Sequence, residues 1–73
     1  MLGQVVKRRR EQRQRTLDDL AREAGVSRRT LAYVEAGTHS VTVENLRDIA
    51  HALGVKLSVL IAEAEIDPDD VSP

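Results

Sequence analysis

The chain has no cysteine, no tryptophan and no phenylalanine, and Tyr33 is its one aromatic residue in 73. Without cysteine there is neither a disulfide framework nor a thiolate metal site, which suits a reducing compartment. Without Phe or Trp, any core must be aliphatic, built from Leu, Val, Ile and Ala. No apolar run approaches the roughly 20 residues that a membrane-spanning helix needs. The first residues lack the apolar centre of a signal peptide and turn basic at Lys7. The expectation is a soluble, cytoplasmic protein that spans no membrane.

Catalytic and metal-binding patterns are missing too. Ser27, Ser40, Ser58 and Ser72 have no His and Asp at a spacing that argues for a triad. His39 and His51 are the only imidazoles and fit no HxxxH or HExxH spacing. Asp67, Asp69 and Asp70 alternate loosely like a calcium loop, but the Gly and the closing Glu of such a loop are absent. No Gly-rich phosphate loop exists. The expectation is therefore no enzyme, no cofactor and no metal.

What is present is charge, unevenly placed. The net charge is −1. Residues 1–33 carry nine Lys and Arg against four Asp and Glu, whereas residues 34–73 carry two against eight. Such asymmetry gives one face to a polyanion and keeps the other away from it. The length allows one domain, expected over residues 1–65, with a flexible acidic tail over 66–73 that holds two prolines. A domain this small is marginal alone, which favours dimerisation on energetic grounds.

The hydrophobic pattern predicts five helices and no strand. The first runs from about Leu2 to Arg13 with Leu2, Val5 and Val6 inward. Thr16 with Asp19 resembles a capping box and starts the second, with Leu20, Ala21 and Ala24 inward. Gly25 can turn without a Cβ penalty, and Ser27 caps a third helix with Leu31 and Val34 inward. Gly37 stops that helix. Thr42 caps a fourth, with Leu46, Ile49, Ala50 and Leu53 inward and Gly54 closing it. A fifth begins near Leu57 and turns Leu57, Leu60, Ile61 and Ala64 inward.

The second and third helices form a bihelical unit around Gly25. The third presents Arg28, Arg29, Thr30 and Tyr33 outward. A short helix opening on two arginines is what a DNA major groove accepts, because Arg is the commonest bidentate partner of guanine O6 and N7. Tyr33 stands one turn beyond Arg29 and can pack on a thymine methyl or bond a phosphate. Ser27, Thr30 and Thr16 lie at helix N-termini, where backbone N–H groups and the helix dipole attract phosphate.

In these residues the chain resembles the Xre/Cro/cI helix-turn-helix family of bacterial and phage regulators, over about residues 2–64. The family pattern wants a small residue at Ala21 and glycine at Gly25. It wants apolar residues at Leu20, Ala24, Val26, Leu31 and Val34, and an ending like Glu35-Ala36-Gly37. Leu46, Ala50, Leu53, Gly54, Val55 and Leu57 continue it. The resemblance implies an all-α, compact five-helix, lambda-repressor-like domain, and an ion pair of Arg10 with Glu35 that links the first helix to the end of the third. It also implies base contacts at Arg28, Arg29 and Tyr33. Departures are Leu17 where Gln is frequent, Val41 where Pro is frequent, and Thr38-His39-Ser40 where the loop often carries Lys or Arg. Arg9 and Arg15 stand at positions that are often apolar.

The reading is a sequence-specific regulator of double-stranded DNA, a repressor or autoregulator acting as a homodimer. Arg28, Arg29 and Tyr33 would contact bases. Thr16, Ser27, Thr30, Arg9, Arg13 and Arg15 would contact phosphates. Val59 and Ile66, which have no place in the core, would form the dimer interface. Alternatives are the antitoxin of a toxin–antitoxin pair, with a toxin protein as a further partner, or a restriction–modification controller. A third is a protein-interaction module of the same fold that binds no DNA.

Overall fold

The computed structural model describes residues 1–38 and 41–65. They form α1 (Leu2–Gln12), α2 (Leu17–Ala24), α3 (Arg28–Ala36), α4 (Val43–Ala52) and α5 (Leu57–Glu65), with no strand among the described residues. Helix α1 packs on α3 and α5, α2 packs on α3 and α4, and α4 packs on α5. None of these helices is long and apolar enough to cross a membrane. His39, Ser40 and the expected tail at 66–73 lie outside the described residues.

Local chemistry sets the helix boundaries. The Thr16 hydroxyl accepts from the Asp19 N–H at 3.0 Å, and the Asp19 carboxylate accepts from the Thr16 N–H at 3.2 Å. This reciprocal box satisfies two donors that the first turn of α2 leaves open. Ser27 caps α3 through the Thr30 N–H at 2.9 Å, and Thr42 caps α4 through the Asn45 N–H at 3.0 Å. Gly25 adopts φ 72° and ψ 26°, and the Val26 N–H then returns to the Ala21 carbonyl at 3.0 Å. That left-handed residue reverses the chain between α2 and α3 within three residues. Helix α1 stops one residue before the expected Arg13, because Arg13 has φ −89° and ψ 4°, and Gln14 then turns left-handed at φ 57°.

The core is aliphatic, as the composition demands. Val6, Leu20, Leu31, Ile49, Leu53 and Leu60 are its fully buried large side chains, and every helix supplies at least one of them. Leu2, Ala24 and Leu46 pack at its edge, half-buried rather than enclosed. Ile61 corrects the sequence pattern. Expected inward, it is 41% exposed. Helix α5 packs mainly on α1 and α4, with Leu60 as its one fully buried residue, and Ile61 falls beyond that stripe.

Gly3 is buried in the first turn of α1, a role its place in a helix did not advertise. A Cβ there would lie 2.3 Å from the Val34 carbonyl oxygen and 2.6 Å from that of Glu35. Both obstacles are backbone, so no rotamer change relieves them. Helix propensity alone predicts that Gly3→Ala gains about 1 kcal/mol. The clash reverses the sign, because α1 must peel from α3 or lose its first turn. Urea unfolding is expected to show a net loss of about 2 kcal/mol, in the range for overpacked sites. A variant as stable as the wild type would mean that the two helices do not approach so closely.

Candidate nucleic-acid interface

Helix α3 is oriented by its inner face. Leu31 and Val34 are buried against the core, so the helix cannot roll without exposing them. The opposite side then consists of Arg28, Arg29, Ala32, Tyr33 and Ala36. Arg28 and Arg29 are exposed, and Tyr33 is half-buried. Ala32 and Ala36 escaped the sequence reading as site residues. Small side chains on the outer face let a helix backbone come close to a surface, and two alanines among the outward positions are the signal for it.

The start of α3 adjoins the start of α2. Arg28 Nε lies 3.0 Å from Asp18 Oδ1. Arg29 has no ion pair among the described residues. Thr16 and Ser27 are exposed and Thr30 is half-buried at the N-terminal ends of α2 and α3. The Ser27 hydroxyl accepts the Thr30 N–H and donates to the Thr30 hydroxyl at 2.8 Å. Two carboxylates, Asp18 and Asp19, occupy the first turn of α2, at its positive dipole end.

The basic run on α1 is dispersed among internal partners. Arg10 Nε and Nη2 hold the two carboxylate oxygens of Glu35 at 2.7 and 3.1 Å, and Arg10 Nη1 donates to the Arg15 carbonyl at 2.9 Å. The Glu35 hydrogen bond raises the Arg10 pKa further, against the burial that lowers it. Arg9 donates to Glu63 on α5, and Arg8 reaches the same carboxylate at 3.2 Å. The Nε of Arg9 is buried without a hydrogen-bond partner. Arg13 donates to the Leu53 carbonyl at the end of α4 at 3.2 Å, and Arg15 pairs with Glu23 at 3.3 Å. Each of Arg9, Arg13 and Arg15 would therefore meet a phosphate either with the N–H groups these partners leave free or by releasing the partner.

Two of these contacts set an acid limit. The hydrogen bond from Arg9 holds the Glu63 carboxyl below its ordinary 4.5, and the Thr16 backbone N–H holds Asp19 below its ordinary 3.8. A carboxyl depressed in the folded state contributes stability that is complete above its unfolded value. That contribution is lost as pH falls through the lower folded value. The melting temperature is therefore expected to hold above about pH 5 and to fall as pH drops below 4.5 and 3.8 toward the lower folded values. Glu63→Gln should remove part of that slope. An unchanged slope in melting curves of the variant would show that Glu63 contributes none of it.

Elsewhere, Val59 is 38% exposed on α5, and Ile66, the other expected dimer contact, lies outside the described residues. Val43 is more exposed still, at 60%, and was not foreseen. A cleft of about 270 Å³ at the α4–α5 turn is lined by Arg47, His51, Val55, Lys56 and Leu57. Of these, His51 lies in the last turn of α4 and Arg47 stands one turn earlier, at mid-helix. No group of three metal-ligating side chains occurs among the described residues.

Comparison with known proteins agrees with this geometry. A helix-turn-helix family model matches residues 6–60. The clp gene regulator ClgR from Corynebacterium glutamicum is 33% identical with a TM-score of 0.81, covering 88% of this chain and 68% of that one. SinR, the master regulator for biofilm formation, solved in complex with DNA, is 27% identical with a TM-score of 0.77, covering 84% of this chain and 98% of that one. A variant of the restriction–modification controller C.Esp1396I has a TM-score of 0.78 over 90% of this chain and 92% of its own, but at 22% identity the likeness is one of fold. No curated protein matches the chain significantly.

Proposed function

We propose a function that proceeds from one premise: the chain belongs to the Xre/Cro/cI-type helix-turn-helix family of DNA-binding regulators. On this reading it is a sequence-specific transcriptional repressor or autoregulator that works in the cytoplasm as a homodimer. Helix α3 enters the major groove with Arg28, Arg29 and Tyr33 toward base edges. Thr16, Ser27 and Thr30 hold the flanking phosphates, with Arg9, Arg13 and Arg15 adding the N–H groups that their internal partners leave free. The dimer forms through α5, on Val59 and the adjoining Ile66, and reads two half-sites about one DNA turn apart, roughly 34–36 Å.

The observation that carries the reading is the pair Arg28 and Arg29, exposed at the N-terminal end of a helix whose inner face is locked into the core. Gene regulators of the same fold support it, SinR among them in complex with DNA. The acidic second half of the chain supports it too, since like charge with DNA discourages other docking faces. The test is binding of the purified protein to its own upstream DNA and to a scrambled duplex across a salt series. The upstream site should win by about a thousandfold. Equal, weak binding to both duplexes would remove the claim of autoregulation. Absence of binding to every duplex in a broader operator screen would replace the reading with a protein-interaction module.

A further inference from the structure

We infer that Asp18 is a specificity-determining positioning residue. Its carboxylate holds the Arg28 guanidinium in the orientation that reads a base, at the expense of general affinity for DNA. The inference rests on the proposed function, with Arg28 as a base reader, and adds a residue that makes no base contact of its own.

The start of α2 divides its labour between two acidic residues. Two carboxylates stand in its first turn, and capping occupies only one. Asp19 exchanges both hydrogen bonds of the box with Thr16, whereas Asp18 takes no part in it. Asp18 turns instead to the neighbouring helix and meets Arg28 Nε at 3.0 Å. The atom it takes matters. Guanidinium offers five N–H donors in a rigid planar fork. Engaging Nε leaves both terminal nitrogens as a parallel pair. Such a pair matches guanine O6 and N7 end-on.

In the free protein this contact does little. The two side chains are 69% and 63% exposed, and exposed pairs of this kind contribute almost nothing to folding. Against a groove that expels water the same contact strengthens, and a long side chain that is already oriented loses less freedom on binding. The cost falls elsewhere. A helix N-terminus beside the recognition helix is a natural phosphate site. Here its own side chains bring two negative charges to it. Asp18 therefore opposes the backbone attraction that every sequence offers equally. Removing it should move specific and general binding in opposite directions. A mere dipole partner for α2 would change stability and leave base choice alone.

The experiment selects from duplexes randomised over about 20 base pairs, enough for two half-sites, with the full chain as wild type, Asp18→Asn and Arg28→Ala. Melting temperatures verify that all three fold. Wild type is expected to select guanine at one position in each half-site, and Arg28→Ala to lose that preference there alone. Asp18→Asn should relax the same position by about tenfold. It should also bind a scrambled duplex several-fold more tightly, with a salt slope steeper by up to about one. If Asp18→Asn keeps the guanine preference while Arg28→Ala loses it, the positioning role is wrong and the base reader stands. If Arg28→Ala keeps the preference, Arg28 reads no base and the inference fails together with that reading. If Asp18→Asn weakens binding to all duplexes equally, the opposed effects are absent and the inference also falls.

Discussion

Replacing Arg28 and Arg29 together by alanine is expected to abolish discrimination between the native site and a scrambled duplex, a loss of about a thousandfold, or about 4 kcal/mol. The size follows from the chemistry of the major groove. One good bidentate contact to guanine discriminates by about 1–3 kcal/mol, and two such arginines open α3. The fold should survive, because both side chains are exposed and the Asp18 contact is a surface pair. Ser27 still caps the helix, and Leu31 and Val34 still anchor it. The salt series separates two roles that a single affinity confuses. An arginine on a phosphate contributes about one to the slope of log affinity against log salt, whatever the sequence. An arginine on a base contributes mainly to the ratio between sites. A double variant whose ratio is intact but whose slope has dropped by about two would put both arginines on the backbone. Base reading would then pass to Tyr33.

Much of the framework under the candidate interface was legible because its determinants are local. Thr16 with Asp19, Ser27 three residues before Thr30, and Gly25 between two apolar stripes each work over one helical turn, and the structure forms each of these caps and turns. The inward residues of α2, α3 and α4 follow from periodicity in the same way. What was illegible depends on which helix lies beside which. The run from Lys7 to Arg15 reads as a basic face, yet Arg9 reaches Glu63 more than fifty residues away and Arg13 reaches the Leu53 carbonyl. Nothing in the run itself names those partners. Ile61 sits at a good helical position, but α5 has neighbours on too little of its surface to cover it. Gly3 reads as a weak helix residue until α3 is seen to pass beside it. Asp18 reads as a dipole partner until Arg28 is seen beside it.

Glu35→Ala should cost about 3–5 kcal/mol of folding free energy, as breaking a desolvated ion pair does. A 73-residue domain has roughly 4–11 kcal/mol in all at the usual stability per residue. The variant should therefore be largely unfolded near physiological temperature and bind no DNA specifically. The Glu35 side chain is 8% exposed and Arg10 13%, so water reaches the pair only in part, from the cleft that Lys7, Leu17, Ala32 and Ala36 line beside it. Arg10 would keep its bond to the Arg15 carbonyl and lose two charged hydrogen bonds to Glu35. The pair also ties α1 to the last turn of α3, so its loss loosens the seat of α3 as well as the core. A second variant separates the worth of the pair from the cost of stranding one charge. Arg10→Met with Glu35→Leu removes both desolvation penalties and keeps the volume filled. It should recover most of the lost stability, because apolar replacement of a buried pair is often neutral or better. Urea unfolding of the wild type, Arg10→Met, Glu35→Leu and the double variant closes a thermodynamic cycle, with Glu35→Ala measured beside it. A Glu35→Ala loss below about 1 kcal/mol, the size of an exposed pair, would show that water reaches the site. If the double variant is as stable as the wild type yet discriminates DNA sites less well, the pair serves to aim α3 rather than to hold the fold together.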